Sequence, residues 1–356
     1  MRLLLPLLWI GLGLAAPASL PASPGRATDA GATARAEQDA SVPVPQPSEK
    51  ALRYYCSGNV LWAVGQIWGL AVPLGLLATG FSARMRNWAR TIGRRWFFEI
   101  VVYFLLFSLV TYLVNLPLAF YAGYLRPHAY DLSNLTLGKW FSDSLKALAV
   151  GIVAGGLLLW IPYLLLRVSP RRWWLYTGLV AVPVMVLATL IAPIWIQPLF
   201  NRFGPMKDRQ LEAEILALAE RAGIEGGRVF EVAKSEDTKA VNAYVTGLGN
   251  TKRIVLWDTL LARLEPAEVR FIMGHEMAHY VLNHIPKGIA LGSLGLFVSL
   301  YFVYRSSGWL IRRYQPRFGF HDLADVASLP LILLLIEIVS LAASPAMLAW
   351  SRSIER

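Results

Sequence analysis

Residues 97–119 read FFEIVVYFLLFSLVTYLVNLPLA, an apolar run in which Glu99 is the only charged residue. A helix of this length crosses the roughly 30 Å hydrocarbon core of a bilayer. Five further apolar runs occupy residues 58–80, 147–166, 173–196, 288–304 and 326–348. Because there are six such runs with few interior charges, they are unlike the buried core helices of a soluble protein. The sequence therefore predicts a mainly α-helical, polytopic membrane protein with about six transmembrane helices.

The composition agrees with an integral membrane protein. The chain has 356 residues, of which 56% are hydrophobic and 16% are charged, whereas soluble domains are about 25% charged. The formal net charge is +11, and the arginines cluster between apolar runs. That pattern is typical of short loops at a membrane surface, so the lipid bilayer is an expected partner and nucleic acid is not. The oligomeric state stays open.

The N-terminal segment has the pattern of a secretory signal. Arg2 precedes an apolar stretch from Leu3 to Ala16, and small residues follow it. Residues 1–20 are therefore predicted to be a signal peptide or an uncleaved anchor. Residues 21–57 begin with a stretch rich in Ala, Pro, Ser and Thr and are predicted to be a disordered linker.

A polar stretch, residues 197–285, separates the fourth apolar run from the fifth and is predicted to form a small α/β unit. Its predicted elements are a helix at Leu211 to Ala222 and strands at Val229 to Ala233, Ala240 to Thr246 and Arg253 to Trp257. Pro266 is expected in the first turn of a second helix that runs to about Asn283. The predicted order is four transmembrane helices in 58–196, this unit, two transmembrane helices in 286–350, and a short motif in 351–356.

The second helix carries the sequence His275-Glu276-Met277-Ala278-His279. Positions i and i+4 share a helix face, so the two histidines are candidate ligands of one Zn²⁺, and Glu276 is the candidate general base for a metal-bound water. The alternative is a coincidental pair of histidines. His284 lies five residues after His279, off the ligand face, and is interpreted as a residue that supports the ligands or as a solvated helix end.

These residues resemble a known family. The segment His275 to His284 is similar to the zinc helix of the type I CAAX prenyl endopeptidases, membrane metallopeptidases of the gluzincin type with bacterial relatives. Val241 to Leu248 resembles the Asn-Ala-Tyr strand of that family, and similar segments occur at 197–201 and 252–261. The resemblance implies that Asn242, Ala243 and Tyr244 contact an extended peptide substrate.

The same resemblance implies the third metal ligand. Ser351-Arg352-Ser353-Ile354-Glu355 is similar to the family's Ser-Arg-x-x-Glu motif, which makes Glu355 the expected ligand and Arg352 a supporting residue. Leu348 replaces the family's Asn, and the sequence ends at Arg356, before the family's downstream Asp. We therefore expect the motif in 351–356 to be truncated.

The sequence thus predicts a zinc metalloendopeptidase that hydrolyses membrane-associated or CAAX-type protein substrates, with a lipidated or membrane-tethered protein as the partner. The alternatives are a general quality-control metalloprotease, a scaffold that binds peptides without cutting them, and a transporter. A transporter would need paired charges in several spans, whereas Glu337 is the obvious intramembrane carboxylate.

The arginines also predict an orientation. They occur between the first and second runs, between the third and fourth, and after the fifth: Arg84, Arg86, Arg90, Arg94, Arg95, Arg167, Arg171, Arg172, Arg305, Arg312, Arg313 and Arg317. Short basic loops mark the cytoplasmic side. The active site is therefore predicted to be extracytoplasmic, whereas the family resemblance implies a cytosolic one.

Overall fold

The computed structural model of the chain describes residues 46–224, 226–247 and 251–355. The predicted signal segment, 1–20, and most of the predicted linker lie outside these residues. Within them, six helical segments are long and apolar enough to span a membrane. They are Glu49–Ala78, Trp96–Ala129, Leu137–Val168, Trp173–Leu199, His284–Phe318 and Val326–Ile354. The prediction of a polytopic helical protein is confirmed, and each segment contains one of the apolar runs or most of it.

From residue 46, where the described part of the chain begins, seven α-helices precede the polar unit. They are α1 (Glu49–Ala78), α2 (Phe81–Gly93), α3 (Trp96–Phe120), α4 (Arg126–Ala129), α5 (Leu137–Leu158), α6 (Trp160–Val168) and α7 (Trp173–Ile191). A π-helical turn joins α3 to α4, and a second one continues α7 to Ile196. Glycine allows close packing at one crossing of two spans, because a Cβ at Gly155 of α5 would clash with the ring of Phe104.

The first span begins earlier than the sequence predicts. Helix α1 starts at Glu49, inside the range 21–57 that was predicted as a disordered linker. Ser48 caps the helix by accepting a hydrogen bond from the Ala51 N–H. The guanidinium of Arg126 lies 3.9 Å from the centre of the Tyr54 ring and donates to the Tyr54 carbonyl. These contacts stabilise the polar beginning of α1, which a hydropathy pattern does not predict to be helical.

The polar unit is an α/β layer with its own core. It contains β1 (Phe203–Gly204), α8 (Arg209–Arg221), β2 (Arg228–Val232), β3 (Ala243–Thr246), β4 (Arg253–Trp257), α9 (Asp258–Leu261) and α10 (Pro266–Val281). The sheet order is β1-β2-β4-β3, with β2 and β4 parallel and β3 antiparallel to β4. Residues of α8 and α10 pack with the sheet in one apolar cluster, which is separate from the membrane core.

The predicted elements of this unit are present, with bounds that differ from the prediction by up to three residues. Strand β3 begins at Ala243 and not at Ala240, because Thr238 and Lys239 bond to the Leu132 carbonyl of the membrane domain instead of to a strand. Helix α10 was predicted to run to about Asn283 and ends at Val281, because Asn283 adopts a left-handed conformation with φ 57°. Helix α11 (His284–Phe318) follows at once, and α12 (Leu329–Ile354) completes the described chain.

The polar unit is fastened to the loop between the second and third spans. Ser133 and Thr238 form an isolated antiparallel bridge, and Asn134 donates to the Ser235 carbonyl. The ammonium group of Lys139, in α5, lies 2.8 Å from the Asp237 carboxylate. These contacts set the position of the sheet relative to the membrane helices.

Candidate metal centre

The packing of α10 decides which of its residues face the site. Val269, Met273 and Met277 recur at intervals of four residues and are buried in the core of the α/β unit. At the start of the helix, the Glu265 N–H donates to the Glu268 carboxylate, in the manner of a capping box. The histidines and Glu276 of the motif therefore lie off the core face.

Three donor atoms converge beside α10. The Nε2 atoms of His275 and His279 are 3.0 Å apart, and Oε2 of Glu355 lies 3.3 Å and 3.6 Å from them. A tetrahedral zinc site with bonds of about 2.0–2.1 Å separates its ligand atoms by about 3.3 Å. The donor set and its spacing therefore fit a zinc ion. Among the described residues, this is the one group of three potential ligands found close enough to share a metal.

Glu276 lies next to the donors and is partly buried. Burial disfavours its charged form and raises the pKa of its carboxyl group to about 6, with a smaller opposing effect of His275 and a small further rise from Glu355. A carboxylate with a pKa near neutrality is suited to taking up and returning a proton.

His284 lies next to the donor group, at the start of the next helix. The left-handed Asn283 separates α10 from α11, and the ring of His284 packs on His279, with their Nδ1 atoms 2.7 Å apart. His284 is only 6% exposed, which excludes the interpretation as a solvated helix end. Because Nδ1 of His279 is engaged by His284, its Nε2 is left to face the other donors.

Comparisons with known proteins show the family of the chain. The family model "Peptidase family M48" matches residues 205–356, and the model "CAAX prenyl protease N-terminal, five membrane helices" matches residues 44–202. A protein of Bacillus subtilis described as "Uncharacterized metalloprotease YhfN" is 38% identical over 309 residues, which cover 86% of this chain and 72% of the relative. The chain belongs to peptidase family M48.

Relatives of the M48 chain with assigned names are more distant. CAAX prenyl protease 1 of Saccharomyces cerevisiae is 32% identical over 55% of this chain, which spans 45% of the yeast protein, and the human homologue is 26% identical. The chain thus matches about half the length of these two relatives. The crystal structure of S. mikatae Ste24p superposes with a TM-score of 0.70 at 25% identity, covering 83% of this chain and 71% of that one. The M48 chain is a multi-pass membrane metalloendopeptidase.

The predicted substrate strand of this M48 chain lies at an open edge. β3 pairs with β4 on one side and is the last strand of the sheet. The Trp257 N–H donates to the Asn242 carbonyl, and an antiparallel ladder alternates such pairs with residues that point away. The ladder therefore directs the main-chain groups of Ala243 and Val245 away from β4. Val245 is partly exposed, whereas Ala243 is only 2% exposed, and the side-chain oxygen of Asn242 accepts the Ala243 N–H at 2.8 Å.

Other predicted residues lie apart from the donors or gain a partner that the sequence did not indicate. Arg352 is exposed on α12, and its predicted supporting role stays a prediction. The Tyr244 hydroxyl donates to Gln197 Oε1 at 3.5 Å, which links the strand to the exit of the fourth span. An open groove beside His275 exposes 80% of Phe271. The only sequence signal for it was an apolar residue four positions before His275.

Proposed function

We propose that the chain hydrolyses peptide bonds with one Zn²⁺ held by His275, His279 and Glu355. The observation that carries the proposal is the convergence of three donor atoms, from two helices distant in sequence, at the spacing of a tetrahedral site. A zinc ion bound there would polarise the scissile carbonyl and lower the pKa of a bound water.

The chain's own residues supply proton transfer and orientation. Glu276 accepts a proton from the attacking water and returns it to the leaving amine, since its carboxyl group is beside the donors but is not one of them. His284 holds the His279 ring in one orientation through the Nδ1 contact. Supporting contacts of this kind raise the basicity of a ligand and fix its tautomer.

The substrate binds as an added strand along β3. The outward N–H and C=O groups of Ala243 and Val245 pair with the main chain of the substrate, and its carbonyl replaces Asn242 Oδ1 at the Ala243 N–H. Main-chain pairing does not distinguish between substrate side chains. The selectivity of the enzyme therefore depends on which proteins can reach the site. We propose that the substrate is a membrane-associated or lipidated protein, as the six spans of the chain and the names of the yeast and human relatives suggest.

Zinc content and peptide cleavage of the purified chain test this function together. Glu276→Gln keeps the size of the side chain but cannot accept the proton. We expect it to retain zinc and to lose about 10³-fold in cleavage rate, in the range that a general base contributes. Glu220→Gln, an exposed change on α8, is the control. Full activity of Glu276→Gln would refute the assignment of the base.

Assays with different substrates distinguish the proposed specificity from its alternatives. Cleavage of a prenylated CAAX peptide in preference to its unprenylated form supports the lipidated substrate. Equal cleavage of unfolded membrane proteins favours quality control, and binding without cleavage by the zinc-loaded wild type favours a scaffold.

A further inference from the structure

A second pocket, of about 350 Å³, lies at the opposite ends of the spans from the metal centre. It forms where the second span begins at Trp96, the third ends near Arg167, and the sixth begins near Val326. Glu355 lies at the other end of the sixth span. The pocket is therefore at the arginine-rich membrane surface, separated from the peptidase site by the thickness of the helical bundle.

Most charges at this pocket neutralise one another. Arg86 bonds to Asp325 at 2.5 Å, and the two side chains are nearly buried. Arg90 bonds to Glu99 at 2.7 Å and lies 3.6 Å from Asp325. Two guanidinium groups and two carboxylates at the pocket are therefore paired with one another.

Two opposite charges are left over. The Arg167 guanidinium lies 4.9 Å from the centre of the Trp96 ring, and the Asp322 side chain accepts the Ala324 N–H at 3.0 Å. Neither has an ion-pair partner within the described ranges 46–224, 226–247 and 251–355. Both line the same pocket, which therefore offers one cationic and one anionic group to a ligand.

We propose that this pocket binds the headgroup of phosphatidylethanolamine, with the phosphate on Arg167 and the ammonium group on Asp322. A simple anion would satisfy Arg167 and be repelled by Asp322, and a simple cation would do the reverse. The primary ammonium group donates hydrogen bonds to a carboxylate, whereas the trimethylammonium group of phosphatidylcholine has no N–H to donate.

The surroundings favour a lipid over a soluble zwitterion. Trp96 stands at the start of a span, a position typical of tryptophan at the membrane interface. Phe97 and Phe98 follow it and are 39% and 52% exposed, so they provide an apolar surface for acyl chains next to the pocket. Ile100 and Leu166 form part of its buried apolar lining.

Native mass spectrometry of the delipidated full chain tests the proposal. Phosphatidylethanolamine, phosphatidylcholine and phosphatidylglycerol with identical acyl chains are titrated separately. We expect the wild type to bind phosphatidylethanolamine at least about tenfold more tightly than the other two, a difference equal to one charge-assisted hydrogen bond. Equal affinity for the three lipids would overturn the proposal.

Two variants assign the two charges. Asp322→Asn keeps an oxygen for the Ala324 N–H, so the loop is retained, but it should abolish the preference for phosphatidylethanolamine over phosphatidylglycerol. Arg167→Gln should weaken the binding of both lipids. Arg171→Gln, an exposed change in the neighbouring loop, should leave the order unchanged. An unaltered phosphatidylethanolamine affinity in both pocket variants would overturn the proposal.

A soluble competitor distinguishes the source of the headgroup. Displacement of bound phosphatidylethanolamine by O-phosphoethanolamine would support the headgroup assignment. Binding of O-phosphoethanolamine by a wild type that shows no lipid preference would overturn the assignment to a lipid.

Discussion

Two residues near the proposed metal centre have different proposed roles, which substitutions can distinguish. Glu355 contributes a donor atom to the group of three, whereas Nδ1 of His284 contacts the His279 ring at its Nδ1, the nitrogen that does not face the other donors. Substitution of a metal ligand removes a bond to the metal. Substitution of a residue that only orients a ligand has a smaller effect and typically reduces metal affinity or activity by about 10–100-fold.

We predict that Glu355→Ala loses stoichiometric zinc, while His284→Ala binds one zinc at saturating metal with an affinity about 10–100-fold weaker. Zinc titration of both variants by metal analysis after dialysis measures this. The matched control is His321→Ala, an exposed histidine of the loop before α12. If only His284→Ala lost the metal, Glu355 would not be the third ligand.

At the scale of elements, the open edge of β3 predicts where a proline substitution in this strand would affect activity and where it would affect folding. The ladder directs the Val245 N–H to the open edge and the Tyr244 N–H to β4. Proline removes the N–H of the residue it replaces and is tolerated on edge strands where that group does not serve the ladder.

Val245→Pro should therefore reduce kcat/KM by about tenfold, the equivalent of one main-chain hydrogen bond to substrate. It should leave zinc content and folding largely intact. Tyr244→Pro is the matched control and should destabilise the sheet itself. Cleavage kinetics beside thermal unfolding distinguish the two, and normal kinetics in Val245→Pro would rule out pairing at this edge.

At the scale of the whole molecule, Asp237 joins the polar unit to the third span. Burial alone would raise its pKa, but the ammonium groups of Lys139 and Lys234 outweigh this effect and hold the pKa of Asp237 below its usual value of 3.8. A carboxyl group whose folded pKa is depressed stabilises the protein above its unfolded pKa, and this contribution is lost as the pH falls through the folded value.

Thermal unfolding of the detergent-solubilised protein between pH 3 and pH 7 tests this contact. Asp237→Asn should lower Tm at pH 7 and should show a smaller fall of Tm below about pH 4 than the wild type does. Glu220→Gln should behave like the wild type. An unchanged Tm at pH 7 would show that this ion pair does not hold the two parts together.

The orientation of the molecule is a further prediction. The arginine-rich segments were predicted as loops, but the structure places most of their arginines on helix α2 and on the second half of α11. These segments lie at one end of the spans, and the metal centre lies at the other. Because short basic loops are retained in the cytoplasm, we predict an extracytoplasmic metal centre.

Single cysteines in a Cys56→Ser background measure this orientation. An impermeant thiol reagent on intact cells should label Ser235→Cys and spare His321→Cys. Both positions are exposed, whereas Ser307 in the arginine-rich part of α11 is 4% exposed and would escape labelling on either side. Labelling of His321→Cys alone would establish the cytosolic orientation.

The sequence by itself determined the six spans, the small α/β unit and the pairing of His275 with His279. These are local properties, because hydropathy and the i, i+4 spacing depend only on neighbouring residues. The resemblance of Ser351 to Glu355 to a family motif pointed to the third ligand.

Only the tertiary structure brought Glu355 within 3.3 Å of His275, turned His284 back onto His279, and left β3 at an open edge. It also decided which charges pair and which, such as Arg167 and Asp322, stay available. These outcomes depend on packing between segments far apart in the chain, which periodicity does not encode. The helix end at Val281 shows the limit of prediction from helical periodicity. The period placed His284 away from the site, but the left-handed Asn283 ends α10 and His284 lies against His279.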